Sequence, residues 1–490
     1  MAELKLSKIN KKPFVIAFFY AIITIFAVFH HETWVDEAQV WMLAKYTSIG
    51  ELFAHLKYEG HPPLFYLIVF PFAKLFKDII WMQLICWFSS VLAVFLLWNN
   101  SKFNTLTKTV ITLSAPFLYF FPVIARSYSI APALIFILAS LYNKKENHPY
   151  LYAVTTGLLA NLLAIFYPFA FILGAEFVYK SLILNKIKEK KIIISSIILL
   201  LLLLISPITI MLTKTSGMLT NYVTPEFADS FTRVTMHFIY NSFDTFCINK
   251  GKTFSLFNIL MAFGVVCSLI FSFIVLFKKN VKMFYIALFM LVFQLLSYIL
   301  FYPYHIYPTR IFSFYIILLF AFWITLKEGK NSKSINAAVI VLFLLTYIGG
   351  IKSYIADIFF DYTPSRSVAN YIKENIDLKN SKIYITDPVY SEAIAYYLAP
   401  DYYLIKFQDK KPLKYYKIFN YKIASDREVS KYFNYLRKHS DKNNLYILVN
   451  CNFYGGYITV NYDNQAFELI YETKSSITPS ETFKLYKYKG

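Results

Sequence analysis

Ile197-Ile198-Leu199-Leu200-Leu201-Leu202-Leu203-Leu204-Ile205 decides the fold. These branched apolar residues sit inside a longer apolar run, 191–212. A helix rises about 1.5 Å per residue, so about 20 such residues cross the hydrocarbon core of a bilayer. The rest of the 490-residue chain repeats the pattern, with 57% hydrophobic and 20% aromatic residues and a mean hydropathy of +0.48. Soluble domains average about 45–50% apolar residues. The apolar stretches at 13–30, 79–98, 106–123, 127–142, 150–165, 168–184, 191–212, 254–277, 283–301, 309–326 and 335–355 therefore predict a polytopic α-helical membrane protein of about eleven transmembrane helices. One further stretch, 62–77, is short and carries Lys74 and Lys77.

Loop charge orients these spans. The net charge of +20 comes from lysines gathered in short loops: Lys102/Lys108, Lys144/Lys145, Lys186/Lys188/Lys190/Lys191, Lys278/Lys279/Lys282 and Lys327/Lys330/Lys333. Short basic loops mark the cytoplasmic side. If 62–77 is a juxtamembrane or re-entrant helix, every cluster falls on that side together with the N-terminus. The first outer loop (31–78), Arg126-Ser127-Tyr128, the long segment 213–253 and Tyr302 to Arg310 then face outward. The basic balance is thereby explained, and no Lys/Arg stripe with interleaved aromatics points to nucleic acid. The N-terminal lysines followed by Phe14 to Phe29 resemble a signal peptide, but His30-His31-Glu32 follows where a cleavage site would be, so this is read as an uncleaved first span.

Two domains are expected: a transmembrane module over 1–355 and a small extracytoplasmic α/β domain over 356–490. In the latter, 382–386, 445–449, 467–471 and 483–488 read as strands and 391–398 as a helix. Cys86 and Cys267 read as packing residues, while a disulfide between Cys247 and Cys451 stays open.

The chemistry concentrates in the first outer loop: Trp34-Val35-Asp36-Glu37-Ala38-Gln39-Val40-Trp41, then Glu59-Gly60-His61-Pro62-Pro63-Leu64-Phe65-Tyr66. Adjacent carboxylates beside hydrocarbon are costly and usually serve an ion, a proton or a substrate. Residues 36–46 read as a helix. Ser48-Ile49-Gly50-Glu51 reads as a capping box opening a second one that Gly60 can end. His30 and His31 read as interfacial residues, because neighbours on a helix do not share a face. Structural roles stand beside the functional ones: Asp36 as a helix N-cap, Glu37 as a first-turn charge, His61 at headgroup level, and Arg126 as a snorkelling residue. Asp229, Arg233 and His237 read as solvated loop charge, and Tyr302, Tyr304 and Tyr307 as an aromatic belt.

This arrangement resembles the GT-C class of integral-membrane glycosyltransferases. The nearest by motif are family 39 and related enzymes, including the protein O-mannosyltransferases and the lipid A aminoarabinose transferases. The resemblance rests on Asp36-Glu37-Ala38, on His61-Pro62-Pro63-Leu64-Phe65-Tyr66 and on Ala125-Arg126-Ser127-Tyr128, within residues 30–130. It implies a GT-C-like fold in a cell membrane and transfer of a sugar from a polyprenyl-phosphate-linked donor to a protein, lipid or glycan acceptor. Asp36 would then be the general base, with inversion at the anomeric carbon. Glu37 would orient the acceptor or a metal, and His61, Arg126, Tyr128 and Arg310 would bind substrate, arginine matching phosphate geometry. No cofactor is certain, and a divalent metal stays open: Arg126 to Ala139 lacks the acidic residue that helps hold metal in the aminoarabinose transferases. The competing reading is a transporter or flippase of lipid-linked sugars, although Gly/Pro-broken spans with charges at matched positions are absent from the sequence. A non-enzymatic sensor would leave the acidic loop without a purpose.

Overall fold

The computed structural model describes residues 10–59, 61–184, 189–212, 227–244, 255–301, 307–330, 332–385, 391–398, 404–406, 444–450, 467–474, 476–478 and 481–489. The chain opens with α1 (Lys12–His30), started by Pro13, whose fixed φ suits a first helical turn. Three short helices follow: α2 (Val35–Tyr46), α3 (Ile49–Glu59) and α4 (Leu64–Leu75). The capping box forms as read. Glu51 Oε2 accepts from the Ser48 N–H at 2.8 Å, and Ser48 Oγ accepts from the Glu51 N–H at 3.3 Å. α4 spans about 18 Å at 1.5 Å per residue, too short to cross. Its lysine is not left in hydrocarbon. Lys74 Nζ donates to Lys45 O at 2.6 Å and Thr47 O at 2.7 Å, while Lys45 Nζ donates to Phe76 O at 2.7 Å. The two lysines thus satisfy the last carbonyls of each other's helices.

The bundle continues with α5 (Ile80–Asn100), α6 (Thr105–Thr112) and α7 (Phe121–Val123), then α8 (Ala131–Leu141), α9 (Pro149–Ala160) and α10 (Tyr167–Val178). α11 (Lys190–Met211), α12 (Phe227–Tyr240), α13 (Leu256–Lys279), α14 (Val281–Phe301), α15 (Pro308–Lys327), α16 (Ser332–Leu344) and α17 (Tyr347–Phe359) complete it. Among the described residues seven helices are long and apolar enough to cross a membrane, with α16 and α17 counted as one. A bent pair, Thr105–Thr112 and Pro116–Val123, the second opening with a π turn and set at 52° to the first, makes an eighth. The about eleven expected spans thus divide. Eight are present as such, whereas 127–142, 150–165 and 168–184 form helices of 11 or 12 residues with 3-10 or π turns at their ends. Asn161 interrupts the middle pair: its Nδ2 bonds Gly157 O and Leu202 O, both at 2.8 Å. Gly157 is required there, because a Cβ would lie 2.5 Å from the Leu202 side chain.

α15 is the hub, with 94% of its apolar window buried inside the bundle. The two ends of the bundle differ in charge. At one end Lys12 and Lys108 both lie over Trp98, Lys145, Lys180 and Lys282 converge on Glu176, and Lys327 caps Ala139 and Ser140. At the other end lie Cys86 of α5 and Arg310 of α15, 12 residues from Trp98 and 17 from Lys327, or about 18 and 25 Å along their helices. Cys86 is buried, as expected for packing, whereas Cys267 is exposed on α13; Cys247 and Cys451 lie outside the described residues.

A small α/β unit covers the Arg310 end. α18 (Ser365–Asn375) and α19 (Glu392–Tyr397) pack on a five-stranded sheet of β1 (Lys382–Ile385), β2 (Ile405–Lys406), β3 (Leu445–Asn450), β4 (Phe467–Glu472) and β5 (Phe483–Tyr488), in the order β2-β1-β3-β5-β4. β1 runs parallel to β2 and β3, and β5 is antiparallel to β3 and β4. All six residues of the central β3 are buried, as in a strand covered on both faces. Val368, Ile372, Ile394, Leu448 and Leu485 form the core between helices and sheet. α17 runs past residue 355 to Phe359, so its last turn belongs to the bundle and carries Asp357 into it.

Candidate active site

The sequence loads both carboxylates onto the first turn of α2, and helical geometry separates them. Asp36 opens into a cleft of about 60 Å³ together with Arg126, Tyr128 and Arg310. Trp34, Phe120, Tyr307 and Tyr362 form aromatic walls. A buried water needs roughly 10–15 Å³ on this measure, so the cleft holds about four to six water-sized groups, close to a phosphoryl group. Glu37, about 100° further round the helix, has no exposed surface and does not line the cleft. Asp36 is not an N-cap: that position is Trp34, and no local side chain caps the helix.

Arg126 is held against α2 at two points. Its Nη1 donates to Asp36 O at 2.7 Å, and its Nη2 lies 3.4 Å from Asp36 Oδ2. The second distance exceeds the roughly 2.7–2.9 Å of a tight charge-assisted bond. The backbone that presents Arg126 is extended, between α7 and the 3-10 turn Ser127–Ile130, and is pinned from behind: Ala125 N donates to Glu37 Oε1 at 2.6 Å. Arg310 sits in the first turn of α15 between the rings of Tyr298 and Tyr307, at 6.0 and 5.8 Å, with Gln294 Nε2 on its carbonyl at 2.6 Å. Cation–π contacts of this kind hold a guanidinium without neutralising it. His61 is half-buried beside the two arginines, outside the cleft lining. Burial, then the Arg126 and Arg310 charges, lower its pKa to about 3, so it is neutral.

Behind the cleft lies a polar cluster absent from the sequence reading. His31 is not interfacial: it is buried at the C-cap of α1, while His30 is exposed and bonds Phe26 O at 2.7 Å. His31 Nδ1 lies 2.7 Å from Asp357 Oδ2 and His31 Nε2 3.3 Å from Glu37 Oε2. Tyr119 donates to Asp357 Oδ2 at 2.8 Å. Burial opposes the charged imidazole, but Asp357 and then Glu37 outweigh it and raise its pKa to about 10. His31 is thus an imidazolium between two buried carboxylates. Asp357 carried one signal that could have revealed it, an acid within an apolar helical pattern, but it lies just past the expected span end at 355.

Asp229 and Arg233 are exposed on α12, whereas His237, read with them as solvated, is half-buried, and none of the three lines the cleft; Tyr302 and Tyr304 lie outside the described residues. Among the described residues no three His, Cys, Asp or Glu side chains are grouped to hold a metal ion.

Fold and cleft together define the class: a multi-pass α-helical membrane protein with a small C-terminal sheet and an acid–guanidinium cleft beneath it. No family model and no curated protein matches the chain. Its fold is similar to that of ArnT from Cupriavidus metallidurans, solved with undecaprenyl phosphate bound, at a TM-score of 0.52 and 11% identity over 97% of this chain and 98% of that one. At this identity the likeness is one of fold.

Proposed function

We propose that this protein is a membrane glycosyltransferase that moves a sugar from a polyprenyl-phosphate-linked donor to an acceptor at the outer membrane face, with inversion. The observation that carries the reading is the convergence of one carboxylate, Asp36, and two guanidiniums, Arg126 and Arg310, on a phosphoryl-sized cleft. That cleft lies at the end of the bundle away from the lysines. By the positive-inside rule the lysine end is cytoplasmic, which puts the cleft and the C-terminal domain outside. The undecaprenyl phosphate in the ArnT structure supports a lipid phosphate as the donor's handle.

The chemistry follows from the geometry. The donor phosphate enters between Arg126 and Arg310, which suit its planar pairs of oxygens. It competes with Asp36 for Arg126, whose Nη2 contact to Asp36 is the loose one. Asp36, released, accepts the proton of the acceptor hydroxyl as that oxygen attacks the anomeric carbon. The lipid phosphate leaves as an anion stabilised by the arginines, so no separate acid is needed. His61, neutral without the donor, gains basicity as the phosphate offsets the arginine charges and can then donate to it.

The test uses membranes carrying wild type or Asp36→Asn, polyprenyl-phosphate sugars, and a measure of transfer to endogenous acceptors. Loss of a general base slows transfer by about 10²–10⁴-fold. Asp36→Asn at the wild-type rate and level removes the base assignment. Lipid-linked sugar that crosses the bilayer with no transfer replaces the enzyme with a flippase.

A further inference from the structure

Four consecutive residues at the start of α2, Glu32 to Val35, are held by three segments of the C-terminal region. Glu32 accepts from the Thr363 N–H at 3.4 Å and faces Arg366 Nε at 3.6 Å. Thr33 N donates to the Tyr397 hydroxyl at 2.8 Å. The Trp34 ring meets Tyr362 edge-on at 6.3 Å. Val35 N donates to Glu481 Oε1 at 3.2 Å, and the other oxygen of that carboxylate accepts from the hydroxyls of Thr363 and of Ser365, the latter at 3.1 Å. Glu481 is itself fixed: its N–H bonds Thr478 O at 3.2 Å, and the Thr478 N–H bonds Tyr362 O at 3.0 Å. The segment between β4 and β5 is thereby tied to residues that follow α17.

A helix leaves its first N–H groups without intrahelical acceptors, and Ser, Thr, Asp or Asn at the N-cap usually answers them. Here the N-cap is Trp34, which has no acceptor. The missing cap comes from Glu481, 446 residues away, and a carboxylate there also suits the positive end of the helix dipole. The next residue after Val35 is Asp36.

We propose that the C-terminal domain completes the active site, with Glu481 as a positioning residue that caps the helix carrying Asp36 and fixes that carboxylate relative to Arg126. The proposal rests on the reading of Asp36 as the base. Without the cap the first turn of α2 frays and Asp36 moves relative to the arginines that hold the donor. The donor phosphate, bound by Arg126 and Arg310, is affected less than the proton transfer.

The experiment uses the full-length protein in proteoliposomes and reads two quantities. One is transfer kinetics with a polyprenyl-phosphate sugar. The other is amide hydrogen exchange in the peptide covering residues 32–38. Glu481→Ala is expected to raise exchange there and to lower kcat by about 10²-fold, the effect of misplacing a catalytic group by about 1 Å, with KM for the donor nearly unchanged. Glu481→Gln, which keeps an oxygen for Val35 N–H, restores both. Tyr397→Phe, a milder change that removes the hydroxyl shared by Thr33 N–H and Arg366, shifts both in the same direction by about fivefold, about one hydrogen bond's worth, and decides the matter if Glu481→Ala does not fold. Wild-type exchange in the alanine and phenylalanine variants overturns the cap. Raised exchange with unchanged kcat overturns positioning. Asp36→Asn, run in parallel, separates this from failure of the base: an active Asp36→Asn refutes the base while the exchange data still judge the cap.

Discussion

Replacing His31 with leucine tests the cluster behind the cleft. The imidazolium sits 2.7 Å from Asp357 and 3.3 Å from Glu37, all with side chains at 0–1% exposure. At an effective dielectric of about 20 these contacts are worth about 6 and 5 kcal/mol, and desolvating the three ions consumes several kcal/mol each. The rise from 6.5 to about 10 gives the balance for His31, about 5 kcal/mol at 1.36 kcal/mol per pH unit. A group whose folded pKa lies above its ordinary value stabilises fully below the ordinary value and loses that contribution as pH rises through the folded one. The contribution is therefore complete below pH 6.5, falls to a little over half by pH 8, and is lost as pH rises through about 10. His31→Leu leaves two buried carboxylates without a counter-charge, and breaking a buried pair costs about 3–5 kcal/mol. In detergent, apparent melting followed by size-exclusion chromatography should drop by at least about 5 °C at pH 7. The gap to wild type should narrow at pH 10.5. His31→Leu combined with Asp357→Leu should lose less than the sum of the single changes, because the second removes a charge that the first left unpaired. Equal melting of His31→Leu and wild type at pH 7, or a gap independent of pH, refutes the imidazolium.

Two further outcomes follow from the same geometry. Arg126→Lys keeps the charge but loses the fork that reaches both Asp36 O and a phosphate, so KM for the lipid donor should rise about tenfold in steady-state assays, more than kcat falls. Burial, ahead of its hydrogen bonds, pushes Glu481 up to about 7 from 4.5. Stability from this group is thus full below pH 4.5, declines as pH rises from there through 7, by about 3 kcal/mol in all, and is level above. Glu481→Gln should flatten that part of the profile and melt above wild type at pH 8 in the same chromatographic assay.

How far the sequence carried depended on the range of each interaction. The spans were legible because hydropathy is a local property, and so was the capping box, whose bonds join residues three apart. The breaks at Asn161 and before Tyr167 were not legible, because composition records apolar length and not the points that divide it. The strands at 382–385, 445–450, 467–472 and 483–488 were legible from residue type, but not their order, which sets β5 between β3 and β4. His31 was misread because its partner Asp357 lies 326 residues away and beyond the expected end of a span. Glu481 carried no local mark at all: its role exists only because Trp34 cannot cap.

The acidic pair shows why adjacency in sequence is a poor guide to shared function on a helix. Asp36 and Glu37 differ by about 100° around α2, and that rotation gives them different solvents. Asp36 faces an open cleft beside two guanidiniums, where a carboxylate can accept a proton. Glu37 faces an imidazolium and the Ala125 N–H, where a carboxylate can only hold things in place. The two are nonetheless coupled. Glu37 fixes Ala125, the next residue is Arg126, and Arg126 returns to Asp36 through its carbonyl and carboxylate. A closed loop of contacts runs from one acid through the neighbouring chain to the other. Its position is set from above by Glu481 at the helix start and from behind by His31. Substituting either acid therefore disturbs Arg126, and only kinetics that separate donor binding from transfer can tell the base from its support.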